Sequence, residues 1–298
     1  MNRLLKNNFA LTALVFVGSA GAADAQSYTF FSKNATVNYF VSTRYAIVGY
    51  AGGDFGSGFK NPSSPTVSFV SGGNVSNLDA YNASVVNVRS DSVIGETKIY
   101  SSMINISGGD VIDLFADNNS IVNVSGGNIR GYLLSDHSGL ISISGGKINQ
   151  GLTGDNNSVL NVRGGSVSGG LRSFNGSVLN ISGGDGDFVQ ALGGSVNLTG
   201  GRISVSLTAT FGGIINIYGS GLSATLIDPN YYGGTASFYS LSGALQDGTA
   251  LTAEPLYIQN TTGATFHLFN AVPEPGSLAL SVSMTIIGAG VLRRKRRK

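Results

Sequence analysis

Leu160-Asn161-Val162-Arg163-Gly164-Gly165 returns nineteen residues later as Leu179-Asn180-Ile181-Ser182-Gly183-Gly184. The same apolar-Asn-apolar-x-Gly-Gly unit stands at 104–109, 122–127 and 196–201, and at 141–146 with Ser142 in place of the asparagine. Degenerate copies extend the series. Val86-Asn87-Val88 lacks the glycines, Phe69 replaces Asn ahead of Gly72-Gly73, and Ile215-Asn216-Ile217 ends in Gly219-Ser220-Gly221. The centres fall at 69, 87, 105, 123, 142, 161, 180, 197 and 216, so the step varies only from 17 to 19. A fixed short period marks a stacked repeat architecture and has to be read before any local propensity.

Within a copy the polarity alternates every residue, as a strand requires. Leu160 and Val162 point one way and Asn161 the other. The glycine pair forms a corner that tolerates positive φ or close backbone approach. Three residues after the first glycine comes a second apolar position (Val75, Val111, Ile129, Ile148, Val167, Ile203), and about four further on a third (Leu133, Leu152, Leu171, Leu207). Polar clusters such as Asp155-Asn156-Asn157-Ser158 turn the chain into the next copy. One copy has too little apolar surface to fold alone, but stacked copies bury theirs in continuous columns. The reading is all-β: a parallel β-helix (β-solenoid) of about nine coils of 18–19 residues. At ~4.8 Å per coil it makes a rod of roughly 40 Å, expected to be right-handed.

The flanks differ. Residues 26–65 are aromatic-rich and irregular up to Pro62-Ser63-Ser64-Pro65, and read as an N-terminal cap. The repeats occupy 66–221 and a C-terminal β cap occupies 222–271. In that cap Leu256-Tyr257-Ile258 and Thr265-Phe266-His267-Leu268-Phe269 flank Asn260-Thr261-Thr262-Gly263 in the manner of a β-hairpin.

Both ends carry targeting signals. Arg3 and Lys6, an apolar run over 9–17 and Ala23-Asp24-Ala25 make residues 1–25 a secretory signal peptide, cut before Gln26. At the other end, residues 272–298 read as a tail with three successive segments: Val272-Pro273-Glu274-Pro275, an uncharged stretch over 277–292, and Arg293-Arg294-Lys295-Arg296-Arg297-Lys298. The sixteen residues of that stretch give a helix of about 24 Å, short of a ~30 Å hydrocarbon core. The six cations extend its reach by snorkelling and hold their end in the cytoplasm. Setting aside Arg3, Lys6 and the terminal six leaves ten of the 18 cations. Setting aside Asp24 and Glu274 leaves 14 of the 16 acids, so the body is near −4. The basic balance belongs to the targeting segments and implies no nucleic-acid partner. With no cysteine in the chain, this exported body relies on burial and backbone pairing alone.

The tail resembles the PEP-CTERM sorting signal, with its motif, short transmembrane helix and arginine-rich end in that order. The resemblance implies a Gram-negative host and an exosortase that recognises Val272, Pro273, Glu274 and Pro275. It further implies transit through the general secretion machinery, transient anchoring in the cytoplasmic membrane, and an association with exopolysaccharide. Residues 66–220 resemble, more loosely, the Gly-Gly-rich repeats of autotransporter adhesin passengers, without the β-barrel that should follow.

Candidate chemistry is sparse. The most regular polar feature is an outward column of Asn87, Asn105, Asn123, Asn161, Asn180, Asn197 and Asn216, with Ser142 substituting. It reads either as an amide ladder along the stack or as a flat face for a repetitive partner such as polysaccharide. An ice-binding face usually presents threonine columns, which are absent. Gly183-Gly184-Asp185-Gly186-Asp187-Phe188 is similar to the calcium nonapeptide of β-rolls, but Phe188 stands where an aspartate is required. A polysaccharide lyase or hydrolase would gather acids and a base. Asp110, Asp113, Asp117, Asp136, His137, Arg130 and Arg163 are the candidates, and they read as solvated turn residues. Neither His137 nor His267 has a metal-ligand neighbour in sequence. No catalytic residue, metal site or cofactor is assigned. The expectation is a non-catalytic surface protein of the cell envelope or extracellular matrix, with a polysaccharide-modifying enzyme second and an ice- or surface-binder third.

Overall fold

The computed structural model describes residues 27–31, 46–51, 54–55, 59–60, 66–71, 73–81, 83–89, 92–231, 235–259 and 263–271. The signal peptide and the tail, with Val272–Pro275 and the basic cluster, lie outside the described residues. What is described is nearly all β and contains a β-solenoid of about seven turns.

Each turn has three faces. On the first, Met103–Ile106 stacks between Val85–Val88 and Ile121–Val124, with Asn105 level with Asn87 and Asn123. On the second, Asn128–Ile129 lies in register with Lys147–Ile148. On the third, Tyr132–Ser135 lies on Gly151–Gly154, placing Leu133 on Leu152. All of these pairings are parallel.

The predicted columns form the core. Ile141, Leu160 and Leu179 are fully buried on the first face, as are Ile129 and Ile148 on the second and Leu133 and Leu152 on the third. Each such side chain contributes about 1.5–3 kcal/mol of burial. Where a copy degenerates, a neighbour fills in. Gly186 stands in the second-face column in place of Val167 and Ile203, and a Cβ there would lie 2.4 Å from Leu171 Cδ1. A further inner row runs along the third face as Ala116, Ser135, Gly154, Ser173, Ala191 and Ala209. These stay small because first-face side chains reach them; a Cβ on Gly154 would lie 2.7 Å from Leu160 Cδ1.

The two glycines of the corner have different reasons. A Cβ on the first would strike the carbonyl oxygen of the coil before it, at 2.6 Å for Gly126 on Ser107 and 2.5 Å for Gly145 on Ser125. The second is left-handed, with φ of 78° at Gly127 and 81° at Gly146, where a side chain is costly.

Three findings differ from the sequence expectation. The described residues form about seven turns where nine coils are expected, and the last copy does not close its turn. Ile214–Asn230 begins as a first-face strand and then leaves into antiparallel pairing with Ala236–Leu245, which pairs in turn with Ala250–Gln259. The C-terminal hairpin is absent: Leu256-Tyr257-Ile258 lies parallel on 207–209, and Thr265–Asn270 lies parallel on 214–219. Both segments complete the solenoid because open parallel edges were there to receive them. Finally, the described portion of 26–65 continues the sheet. Ala46–Ala51 lies on Thr66–Ser71, and Ser27–Phe31 lies on Ala46–Ala51.

Candidate functional face

The first face has the most regular outer surface. Alternation turns Asn87, Asn105, Asn123, Ser142, Asn161, Asn180, Asn197 and Asn216 outward in one row, each half-buried between its stacked neighbours. The amides bond along that row. Asn105 Nδ2 donates to Asn87 Oδ1 at 3.0 Å and Asn123 to Asn105 at 2.9 Å. Beyond Ser142 the pattern resumes from Asn180 to Asn161 (2.9 Å), Asn197 to Asn180 (2.8 Å) and Asn216 to Asn197 (2.9 Å). The donor always comes from the later coil, so the amide dipoles align and reinforce one another. An interior member of the ladder uses one N–H and one lone pair in it. The amide inventory leaves a second N–H and a second lone pair.

Two rows beside the amides escaped the sequence reading. Val85, Met103, Ile121, Leu140, Val159 and Val178 form a half-buried apolar row on the outer surface, which is interrupted by Ser195 and resumes at the 37 % exposed Ile214. Their signal was available, as the apolar residue two before every asparagine of the row except Asn197, which follows Ser195. On the other side Ser107, Ser125 and Ser144 donate Oγ–H to carbonyl oxygens of the preceding coil. The first face is therefore a flat strip of aliphatic, amide and hydroxyl rows. Its row continues past Asn216 to His267, which the sequence reading put in a hairpin strand.

The corner between the third and first faces holds a second ladder. Asp117-Asn118-Asn119-Ser120, Asp136-His137-Ser138-Gly139 and Asp155-Asn156-Asn157-Ser158 each place their two central residues at positive φ. Each is closed by an N–H to carbonyl bond across the turn, at 3.2, 3.2 and 3.0 Å. Asn suits this left-handed position better than most residues. Each leading aspartate then accepts from the next coil. His137 Nδ1 lies 2.9 Å from Asp117 Oδ1, Asn156 Nδ2 2.7 Å from Asp136 Oδ1, and Asn175 Nδ2 2.7 Å from Asp155 Oδ1. His137 Nδ1 also lies 3.2 Å from Asp136 Oδ2. Stacking thus brings the Asp117 carboxylate to His137 beside that of its sequence neighbour Asp136. The three form a group with metal-ligand spacing, and His137 occupies the place that Asn156 and Asn175 fill in the next coils of the ladder. Ser84, Ser102, Ser120, Ser158 and Ser177 are buried behind this corner. There Ser158 Oγ–H reinforces its turn with a 2.6 Å bond to the Asp155 carbonyl.

Among the remaining acids, Asp185 and Asp187 line one pocket together with Arg202, whereas Asp110, Asp113 and Asp117 have separate partners. Asp110 pairs with Arg130 on the second face. Asp113 accepts the Tyr132 N–H at 2.9 Å at the next corner, and Asp117 belongs to the histidine corner. Asp187 Oδ2 accepts the Gly169 N–H at 2.9 Å, a bond between coils. Phe188 packs under the Arg172 guanidinium, 4.8 Å from the ring centre, and Arg172 Nε donates to Gln190 Oε1 at 3.0 Å.

No family model matches the chain, and neither a curated protein nor a solved structure matches it.

Proposed function

We propose that the chain is an exported, non-catalytic protein of the cell envelope or extracellular matrix whose first face binds a repeating polymer, with exopolysaccharide as the class. In this reading residues 1–25 direct secretion, an exosortase recognises Val272, Pro273, Glu274 and Pro275, and residues 277–292 hold the precursor in the cytoplasmic membrane. Arg293, Arg294, Lys295, Arg296, Arg297 and Lys298 keep the far end inside.

The observation that carries the binding role is the first-face strip. Its interior amides Asn105, Asn180 and Asn197 each use one N–H and one lone pair within the ladder and keep a second of each, beside an aliphatic row broken at Ser195, with both rows at the ~4.8 Å strand spacing. Single contacts of this kind are weak in water, but a polymer that engages many at once gains by effective concentration. Affinity therefore rises steeply with polymer length.

Co-sedimentation of the 26–271 body with the host's purified polymer tests the reading, alongside circular dichroism and an assay for released ends. Binding without depolymerisation is expected, and replacing Asn105, Asn123 and Asn161 together by alanine weakens it with the fold retained. A triple variant that binds as well as the parent removes the ladder's role, and depolymerisation removes the non-catalytic assignment. The sorting role is tested by replacing Pro273-Glu274-Pro275 with alanines: full-length precursor should accumulate in the membrane fraction. Unchanged processing and release overturns it.

A further inference from the structure

The first face is one parallel sheet from end to end of the described chain. It begins at Ser27–Phe31 on Ala46–Ala51 and Thr66–Ser71, passes through every repeat, and ends with Thr265–Asn270 on Ile214–Asn230. Among the described residues each terminal strand has one neighbouring strand only, so each presents a free edge. The two edges face opposite ways along the stack, and their strands run in the same direction.

Among the described residues neither edge carries the usual protection. Exposed edges are normally blunted by lysine, proline, bulges or covering segments. Ser27-Tyr28-Thr29-Phe30-Phe31 and Thr265-Phe266-His267-Leu268-Phe269-Asn270 contain no proline, lysine, arginine or acid. The third face is treated differently at the same end, where antiparallel Ala236–Leu245 covers Ala250–Gln259. The core is also less complete there. Phe266 and Leu268 follow Ile215 and Ile217 in the inner columns but are only partly buried, whereas the isoleucines are fully buried. Backbone direction completes the picture. Thr265 and Ala271 donate their N–H groups to Gly213 and Gly219. Alternation therefore turns the N–H groups of Phe266 and Leu268 toward the free edge.

We infer that the matured protein assembles head to tail, the Thr265–Asn270 edge of one copy pairing in parallel with the Ser27–Phe31 edge of the next. The inference rests on the export and sorting reading, which supplies the trigger. A cut before Gln26 leaves one residue ahead of Ser27, and a cut within 272–275 leaves few residues beyond Asn270. The two maturation cuts thus trim the chain close to both ends of one sheet. The precursor's leader and membrane-held tail keep those ends apart until export is complete. The contact is heterologous and does not close, so it propagates into a filament, with the polymer-binding rows continued from copy to copy.

The test uses the full chain with specific-protease sites placed between Ala25 and Gln26 and between Ala271 and Val272, purified uncut in detergent. Light scattering and electron microscopy are read after cutting one site, the other, or both. Doubly cut protein should gain mass with concentration, to several times the monomer, as rods in multiples of one length. Singly cut forms should stay monomeric, and mixing the two kinds should stop at dimers. Leu268→Pro, which removes an edge N–H, should abolish growth, whereas Leu268→Ala, which loses the same inward packing but keeps the N–H, should assemble. Doubly cut protein that stays monomeric, or equal assembly by the two Leu268 variants, overturns the inference. Failure of the two readings is distinguishable. Assembly of protease-cut protein whose tail is never processed in cells sinks the sorting reading alone. Cell-processed protein that stays monomeric sinks this one.

Discussion

Asn180 donates its side-chain amide to Oδ1 of Asn161 across 2.9 Å, although nineteen residues of chain separate them. One coil earlier the row passes through Ser142, too short to hold the bond, and the ladder divides into Asn87–Asn105–Asn123 and Asn161–Asn180–Asn197–Asn216.

Ser142→Asn should therefore join the two segments. Two new amide bonds form in a half-buried row, and a gain of about 0.5–1.5 kcal/mol per bond is the ordinary scale. Chemical denaturation reads it directly, with Ser142→Ala as control. If the asparagine variant is no more stable than the alanine variant, the ladder contributes nothing to stability.

Val162 is 2 % exposed and its neighbour Asn161 is turned outward. Val162→Asp puts an unpaired charge into the core and should cost more than about 3 kcal/mol. Asn161→Asp keeps an acceptor for Asn180 and should cost less than about 1 kcal/mol. Asn180→Asp lies between them, because it replaces the donor to Asn161 with a second acceptor. Any other order in the melting temperatures contradicts the assignment of faces.

Two left-handed glycines separate backbone strain from coil spacing. Gly248 has φ of 89° and open space where a Cβ would go. Gly248→Ala should cost about 1–2 kcal/mol, the left-handed penalty alone. At Gly146 (φ 81°) a Cβ would lie 2.9 Å from the Gly126 carbonyl, so Gly146→Ala must also push adjacent coils apart. It should be the more destabilising by a clear margin in the same melts. Equal losses would mean that the stack yields easily at its corners.

Asp247 closes the glycine corner at the C-terminal end of the stack. Its Oδ2 accepts the Gly201 N–H at 2.7 Å and its Oδ1 the Thr249 N–H at 2.8 Å. Burial pushes its pKa up, but the N–H donors of Gly201 and Thr249 outweigh this and hold it below the ordinary aspartate value. A carboxyl with a depressed folded pKa contributes stability above its unfolded pKa and loses it as pH falls through the folded value. The parent should therefore lose more melting temperature between pH 7 and acid than Asp247→Asn does. Parallel curves for the two proteins would remove the cap's electrostatic role.

The period of the repeat, the inner columns and the asparagine row were all legible in the sequence. Stacking at a fixed spacing converts a sequence period directly into contacts, so residues eighteen or nineteen apart become neighbours by the same rule as in every other coil. That rule ends where the repeat does. Leu256-Tyr257-Ile258 and Thr265-Phe266-His267-Leu268-Phe269 have the composition of strands and sit close together in the chain, which suggested a hairpin. Each instead found an open parallel edge, one on 207–209 and the other on 214–219, because strand propensity carries no record of which edge is vacant. The approach of Asp117 to His137 was hidden for a related reason: it depends on which corner residues stack, and the polar turns vary in sequence from coil to coil. Hydrophobic burial acts on every copy alike, so the order of residues alone dictates that this chain stacks and which side of each strand faces inward. Where the stack stops and which edges remain open emerge only in three dimensions, since they follow from long-range competition among strands for partners.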